Sequence, residues 1–268
     1  MSTKLVICGY GWLGSHIGNA MLSTHEVIAT TRTVSKAQQL AQKNIQSIVY
    51  SLGDDTSVLD SAFCGATLIL NIPPGRKNTQ LDDFIHNMLA LIESATNAGV
   101  KRIIFISTTS VYGDTHNNIV VEDSNIAPQT ASAKAHAAIE KYLIDKVQQA
   151  YIVRLSGLTG PNRHPVTSLS GRSLPAGNKR VNLVHVQDVV SAIKVMVNSS
   201  PEHRIYHLCA STHPKRGDYY SRAAIKKGIA PPSFSDTELA PTGKLIVADN
   251  SWAYLGITPQ YTNVDDMV

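Results

Sequence analysis

Six residues near the start of the chain constrain its fold more than any other feature. Gly9-Tyr10-Gly11-Trp12-Leu13-Gly14 sets three glycines in the spacing G-x-G-x-x-G. An apolar run over residues 5–8 leads into it, and residues 15–22 read as a helix. Strand, glycine turn and helix in that order open a βαβ unit whose turn receives a phosphate-bearing ligand. Gly9 permits the tight turn, Gly11 lets a pyrophosphate approach the backbone, and Gly14 lets helix and strand pack closely. The helix start then offers N–H groups and the positive end of its dipole. Trp12 and Leu13 belong to the same turn, and Trp12 is expected to pack on the turn and helix rather than on a substrate.

The rest of the chain extends this unit. Strands are expected at 27–31, 47–50, 68–71, 102–107, 151–155 and 205–208, with helices at 35–42, 81–99, 130–149 and 187–198. Leu81, Ile85, Met88, Leu89 and Ile92 recur at helical spacing, and Gly99 stands where a helix-ending glycine is expected. The run Ile103-Ile104-Phe105-Ile106 suits a strand buried on both faces. The fold class is therefore α/β: a Rossmann-type doubly wound parallel sheet covered by helices on both sides. The pattern breaks after Gly157 into a loop-rich stretch. Residues 1–157 form the expected dinucleotide-binding domain and 158–268 a small C-terminal substrate lobe, with 182–208 packing back on the sheet. The stretch after residue 208 reads as irregular.

Composition narrows the classes. At 268 residues, with 43% hydrophobic and 16% charged residues, the chain can bury a large core. Its net charge of +4 lacks the concentrated basic face that nucleic acid requires, and suits a small anionic ligand. Three scattered cysteines, Cys8, Cys64 and Cys209, have no metal spacing and point to a reducing cytoplasm. No apolar run is long enough to span a bilayer. Expected partners are a small-molecule substrate and, at most, a second copy in a homodimer.

The end of the second strand bears on the cofactor. An enzyme of this architecture that uses NAD(H) places a carboxylate there for the ribose hydroxyl. This chain has Thr31 and Arg32, followed by Thr33, Ser35 and Lys36. Arg32 can hold a phosphate bidentately, so NADP(H) is favoured over NAD(H).

Three further motifs carry a family resemblance. They are Phe105-Ile106-Ser107-Thr108-Thr109-Ser110-Val111-Tyr112-Gly113-Asp114, Arg154-Leu155-Ser156-Gly157-Leu158-Thr159-Gly160-Pro161-Asn162-Arg163-His164-Pro165, and Val184-His185-Val186-Gln187-Asp188-Val189. With the glycine turn they resemble the extended short-chain dehydrogenases/reductases, in particular atypical members similar to nucleoside-diphosphate-sugar epimerases and dehydratases. The resemblance implies an NAD(P)-dependent enzyme acting on a carbonyl or hydroxyl group. It assigns Thr108 to the substrate's reacting oxygen, the loop Asn71-Ile72-Pro73 to the nicotinamide ribose, and Arg163 to a substrate anion.

One family element is missing. Such enzymes move a proton with a Tyr-x-x-x-Lys pair on the helix after the fifth strand. Here that helix contains Thr130-Ala131-Ser132-Ala133-Lys134-Ala135-His136, then Glu140. Aligned on Lys134, the tyrosine position is Thr130. Aligned on Glu140, the pair becomes Ser132 and His136. Neither register supplies a phenol. Tyr112, Lys134 and His136 are the candidates for the proton. A literal Tyr142/Lys146 pair lies too near the far end of the helix. A protein that binds NADP(H) without turnover, as a redox sensor, is the alternative reading.

Overall fold

The architecture was taken from a computed structural model, which describes residues 3–75, 81–114 and 119–268. Seven parallel strands make the main sheet: β1 (Thr3–Cys8), β2 (His25–Thr31), β3 (Gln46–Val49), β4 (Thr67–Leu70), β5 (Arg102–Thr108), β6 (Ala150–Leu155) and β7 (Ile205–Leu208). Their order across the sheet is β7-β6-β5-β4-β1-β2-β3. The order reverses between β1 and β4, which opens a crevice beyond their carboxyl ends. Five helices flank the sheet: α1 (Trp12–Met21), α2 (Val34–Ala41), α3 (Leu81–Asn97), α4 (Ala131–Lys146) and α5 (Val186–Asn198).

The core lies in two layers because the central strands are buried on both faces. On one face Leu5, Ile7, Ile69 and Ile104 meet Ile17 and Met21 of α1 and Val189, Ile193 and Met196 of α5. On the other, Val6, Leu68, Ile103 and Phe105 meet Met88, Leu91 and Ile92 of α3 and Ile139 and Leu143 of α4. Gly99, at φ 82°, turns the chain out of α3 and into β5.

Two expectations need correction. The first helix begins at Trp12, immediately after the N-capping Gly11, and not at Ser15. The stretch after residue 208 is also more regular than expected, with helices at Arg216–Lys226 and Asp249–Tyr254. In the former, Tyr219, Tyr220, Ala223 and Ala224 pack into a third core with Val166, Leu183 and Val264. Alanine and tyrosine give a weak apolar stripe, which is why the periodicity was faint in the sequence. Two-residue strand pairs also form, Ser233–Phe234 beside Ser173–Leu174 and Leu245–Ile246 beside Ile119–Val120. Asp188 straps the following chain down, accepting from the N–H groups of Gln260 (2.7 Å) and Tyr261 (3.1 Å).

Candidate active site

The glycine turn sits at the crevice, and its three glycines are small for different reasons. A Cβ on Gly9, at φ 94°, would lie 2.3 Å from the Asn71 carbonyl oxygen. A Cβ on Gly14 would lie 2.6 Å from the Gly9 carbonyl oxygen. Both are demanded by the chain itself. A Cβ on Gly11 would meet nothing within 4 Å, so packing does not explain that glycine. The first turn of α1 carries no acidic residue, and no side chain caps its start. An uncapped helix N-terminus beside open space fits a pyrophosphate.

Asn71 has a task within the protein itself. Its side-chain amide donates to the Gly9 carbonyl (2.9 Å), and its backbone N–H to the Cys8 carbonyl (2.8 Å). It pins the glycine turn to the end of β4. Ile72 is half-buried against the α3-side core, while Pro73 is exposed. At the end of β2, Thr31 is buried and Arg32 exposed. Thr33 then caps α2, accepting from the Lys36 N–H (3.2 Å). Arg32 thus stands between a strand end and a helix start, and no Asp or Glu occurs from residue 27 to 53.

Thr108 ends β5, half-buried. Its Oγ1 accepts from the Ser110 N–H (3.1 Å) and donates to the Ser110 hydroxyl (3.0 Å). Lys244, from the lobe, locks this segment by donating to the carbonyls of Thr109 (2.8 Å) and Gly113 (2.7 Å). Burial pushes its ammonium below the usual lysine range. No sequence motif flagged Lys244, because its partners are backbone carbonyls far away in the chain.

The Tyr112 hydroxyl is engaged within the protein. Tyr112 is buried, and Arg154 donates to its hydroxyl while lying 4.9 Å over its ring. The Nδ1 of His207 bonds the Val247 carbonyl (2.9 Å), so Nε2 accepts the Tyr112 proton. Burial pushes the phenol up to about 12. Arg154 in turn pairs with Glu140 (2.7 Å), which also accepts from Ser107. This buried chain of contacts joins α4, β5, β6 and β7.

Glu140 lies on the buried side of α4. Thr130 is the N-cap, its hydroxyl accepting from the Ala133 N–H (3.1 Å). Lys134 is exposed, whereas His136 and Glu140 are buried. Two residues turn a helix by about 200°, so Lys134 points away from the side that carries His136. In the register aligned on Glu140, Ser132 and His136 stand at the places of the pair. The Nδ1 of His136 donates to the Ser132 carbonyl (2.8 Å), which leaves the lone pair on Nε2. The imidazole stacks on Phe105 at 5.8 Å, and burial holds its pKa below the ordinary value of 6.5. Tyr142 bonds Glu93 of α3 (2.7 Å) and belongs to helix packing.

His164 also has a structural place. Nδ1 accepts from the Val166 N–H (3.2 Å) and Nε2 bonds the Tyr219 hydroxyl (2.8 Å), while burial lowers the pKa to about 4. Among the described residues no group of His, Cys, Asp and Glu could hold a metal ion, and no helix is long and apolar enough to cross a membrane.

These features define a doubly wound α/β protein with a dinucleotide crevice. The family model for the NAD dependent epimerase/dehydratase family matches residues 5–209, and the chain belongs to that family. Protein YeeZ of Escherichia coli (strain K12) is 30% identical over 264 residues, covering 96% of each chain. The Bordetella bronchiseptica enzyme WbmG, solved with NAD and UDP, superimposes with a TM-score of 0.83 at 15% identity, over 100% of this chain and 92% of that one. UDP-glucuronic acid 4-epimerase from Bacillus cereus, solved with NAD, gives 0.80 at 15% identity, over 99% and 94%. Both solved structures share the fold.

Proposed function

We propose that the chain is an NADP(H)-dependent oxidoreductase or epimerase-type enzyme acting on a hydroxyl or carbonyl carbon, with a nucleotide-sugar as the substrate class. The observation that carries the cofactor reading is the open space at Gly11, in a turn whose other two glycines the chain itself requires. Arg32 supports NADP(H), since it is a cation where NAD(H) enzymes of this architecture carry an acid. Replacing Arg32 with Ala is expected to weaken NADPH binding by about 10- to 100-fold, the value of a charged hydrogen bond, and to leave NADH unchanged. Parallel titrations of cofactor emission measure both. Equal losses for the two cofactors would refute the assignment.

The residues divide the chemistry simply. A nicotinamide dinucleotide held at the glycine turn and by Arg32 would supply the hydride chemistry. Thr108 Oγ1 holds the reacting oxygen. His136 Nε2 takes the hydroxyl proton on oxidation and returns it on reduction, the work of the absent phenol and ammonium. The base is the neutral imidazole, and its lowered pKa keeps it neutral further into acid. Oxidation-direction kcat/KM should therefore fall only below pH 6.5, as the ring protonates. His136→Gln should abolish that acidic limb and cost about 100-fold in rate. A pH profile that is identical in the variant would remove His136 from the mechanism.

The second reading, a cofactor-binding sensor without turnover, draws on Ser132 standing where a phenol is expected. NADPH titration followed by hydride transfer to a panel of carbonyl compounds separates the two. Saturable binding with no turnover on any of them would favour the sensor.

A further inference from the structure

We propose that Lys244 is a positioning residue for Thr108: its ammonium, shared between the carbonyls of Thr109 and Gly113, holds the turn that aims the Thr108 hydroxyl, and the hold depends on its charge. The inference rests on the enzyme reading above, in which Thr108 holds the reacting oxygen.

The lobe reaches the strand ends of the main sheet at more than one place. One is the turn at Gly160, where the Arg163 guanidinium carbon lies 4.9 Å from the Trp12 ring centroid. Another is Lys244, whose main chain is fixed on every side. Asn182 brackets it, donating from Nδ2 to the Lys244 carbonyl (3.0 Å) and accepting at Oδ1 from the Ile246 N–H (3.0 Å). Arg180 donates from its N–H to the Thr242 carbonyl (2.8 Å) and from its guanidinium to the Gly243 carbonyl (2.9 Å). Leu245 and Ile246 pair with Ile119 and Val120. A lysine on a loose loop would lose most of a contact's worth in ordering itself, whereas this one starts from a rigid root.

The short helical turn Thr109–Tyr112 begins directly after Thr108. Its middle is backed by Ala127, whose N–H donates to the Val111 carbonyl (2.9 Å). A Cβ on Gly113 would lie 2.3 Å from the Ala127 carbonyl oxygen, so the turn sits tightly there. Its two ends meet the one ammonium, at 2.8 Å and 2.7 Å. Thr108 Oγ1 is itself held by the Ser110 N–H and hydroxyl, inside the same turn. A shift of the Thr109 carbonyl therefore carries the Thr108 hydroxyl with it.

Bonds from an ammonium to a carbonyl are roughly twice as strong as those between neutral groups. Burial pushes this ammonium below the ordinary lysine value of 10.5, Asp114 acts to keep its proton on, and Lys179 acts to remove it. Asp114 and Lys179 pair with each other, and the Tyr112 hydroxyl on the same turn is engaged with Arg154 and His207. As pH rises through the lowered value the amine becomes neutral and the hold weakens. An alkaline limb in kcat should therefore begin below 10.5.

The test compares wild type, Lys244→Met, Lys244→Arg and Asp114→Asn. Turnover is measured from neutral to alkaline pH with NADP+ and a panel of nucleotide-sugars that includes UDP-glucose. Hydrogen exchange over residues 108–113, corrected for its intrinsic rise with pH, is measured without ligand. Lys244→Met should lower kcat about 10-fold, leave KM and NADPH affinity unchanged, and speed exchange in the segment. Lys244→Arg should recover most of kcat and lose the alkaline limb, because a guanidinium keeps its proton. Asp114→Asn should move the limb to lower pH. A loss confined to KM, a limb that persists in Lys244→Arg, or unchanged exchange in Lys244→Met would overturn the proposal. Should a Lys244 variant fail to fold, as thermal unfolding would show, a limb unmoved by Asp114→Asn overturns it instead. If the wild type binds NADPH and turns over none of the panel, the enzyme reading fails separately, and exchange over 108–113 decides whether the lysine holds the turn.

Discussion

Gly11→Ala is expected to fold like the unmodified chain and to lose dinucleotide binding. The backbone at Gly11 has φ −85°, which any residue adopts, and the added carbon meets no protein atom within 4 Å. The substitution therefore intrudes only on whatever fills that space. A steric penalty of about 1–3 kcal/mol corresponds to roughly a 10- to 100-fold weaker complex. Gly11→Asp, which adds a carboxylate against a pyrophosphate, should abolish measurable binding. Gly9→Ala and Gly14→Ala should behave in the opposite order. Each would force a contact of 2.3 Å or 2.6 Å on a backbone carbonyl, so each should lower the melting temperature before any ligand is added. Thermal unfolding with and without NADPH separates the two kinds of glycine. Native affinity in Gly11→Ala would show that nothing approaches the turn there.

The second large effect concerns Glu140. Its carboxylate neutralises Arg154 in the interior, with the two residues 1% and 3% exposed. Removing one partner strands the other charge away from water, which costs about 3–5 kcal/mol. For a chain of this size Glu140→Ala should lower the melting temperature by roughly 10 °C. Glu140→Gln should cost less, because it can still bond Ser107 and the guanidinium. Urea unfolding measures both. Loss of the pair would also free Arg154 beneath Tyr112 and loosen the footing of α4, so His136 should respond in the pH profile. A stable Glu140→Ala would mean that water reaches Arg154 in solution.

The sequence and the structure agree best where local chemistry and packing point the same way. The sheet strands were legible because buried parallel strands are continuous apolar runs, as in Leu68–Leu70 and Ile103–Ile106. The glycine turn was legible because its spacing carries its own mechanism. The helix Arg216–Lys226 was missed because its buried face is tyrosine and alanine, spread across a polar stretch. The register of α4 could not be fixed from the chain alone. Both Lys134 and Glu140 match a motif, and that Glu140 is the buried one follows from its contact with Arg154, a residue of β6. The surroundings of Tyr112 were hidden for the same reason. Its neighbours Arg154 and His207 come from two strands much later in the chain.

The ammonium of Lys244 has a consequence for biogenesis. It binds the carbonyls of Thr109 and Gly113, and so secures the loop next to Thr108 from a point late in the polypeptide. All seven strands of the main sheet precede Lys244 in the chain, so the loop beside Thr108 cannot be tied down in this way until that lysine has left the ribosome.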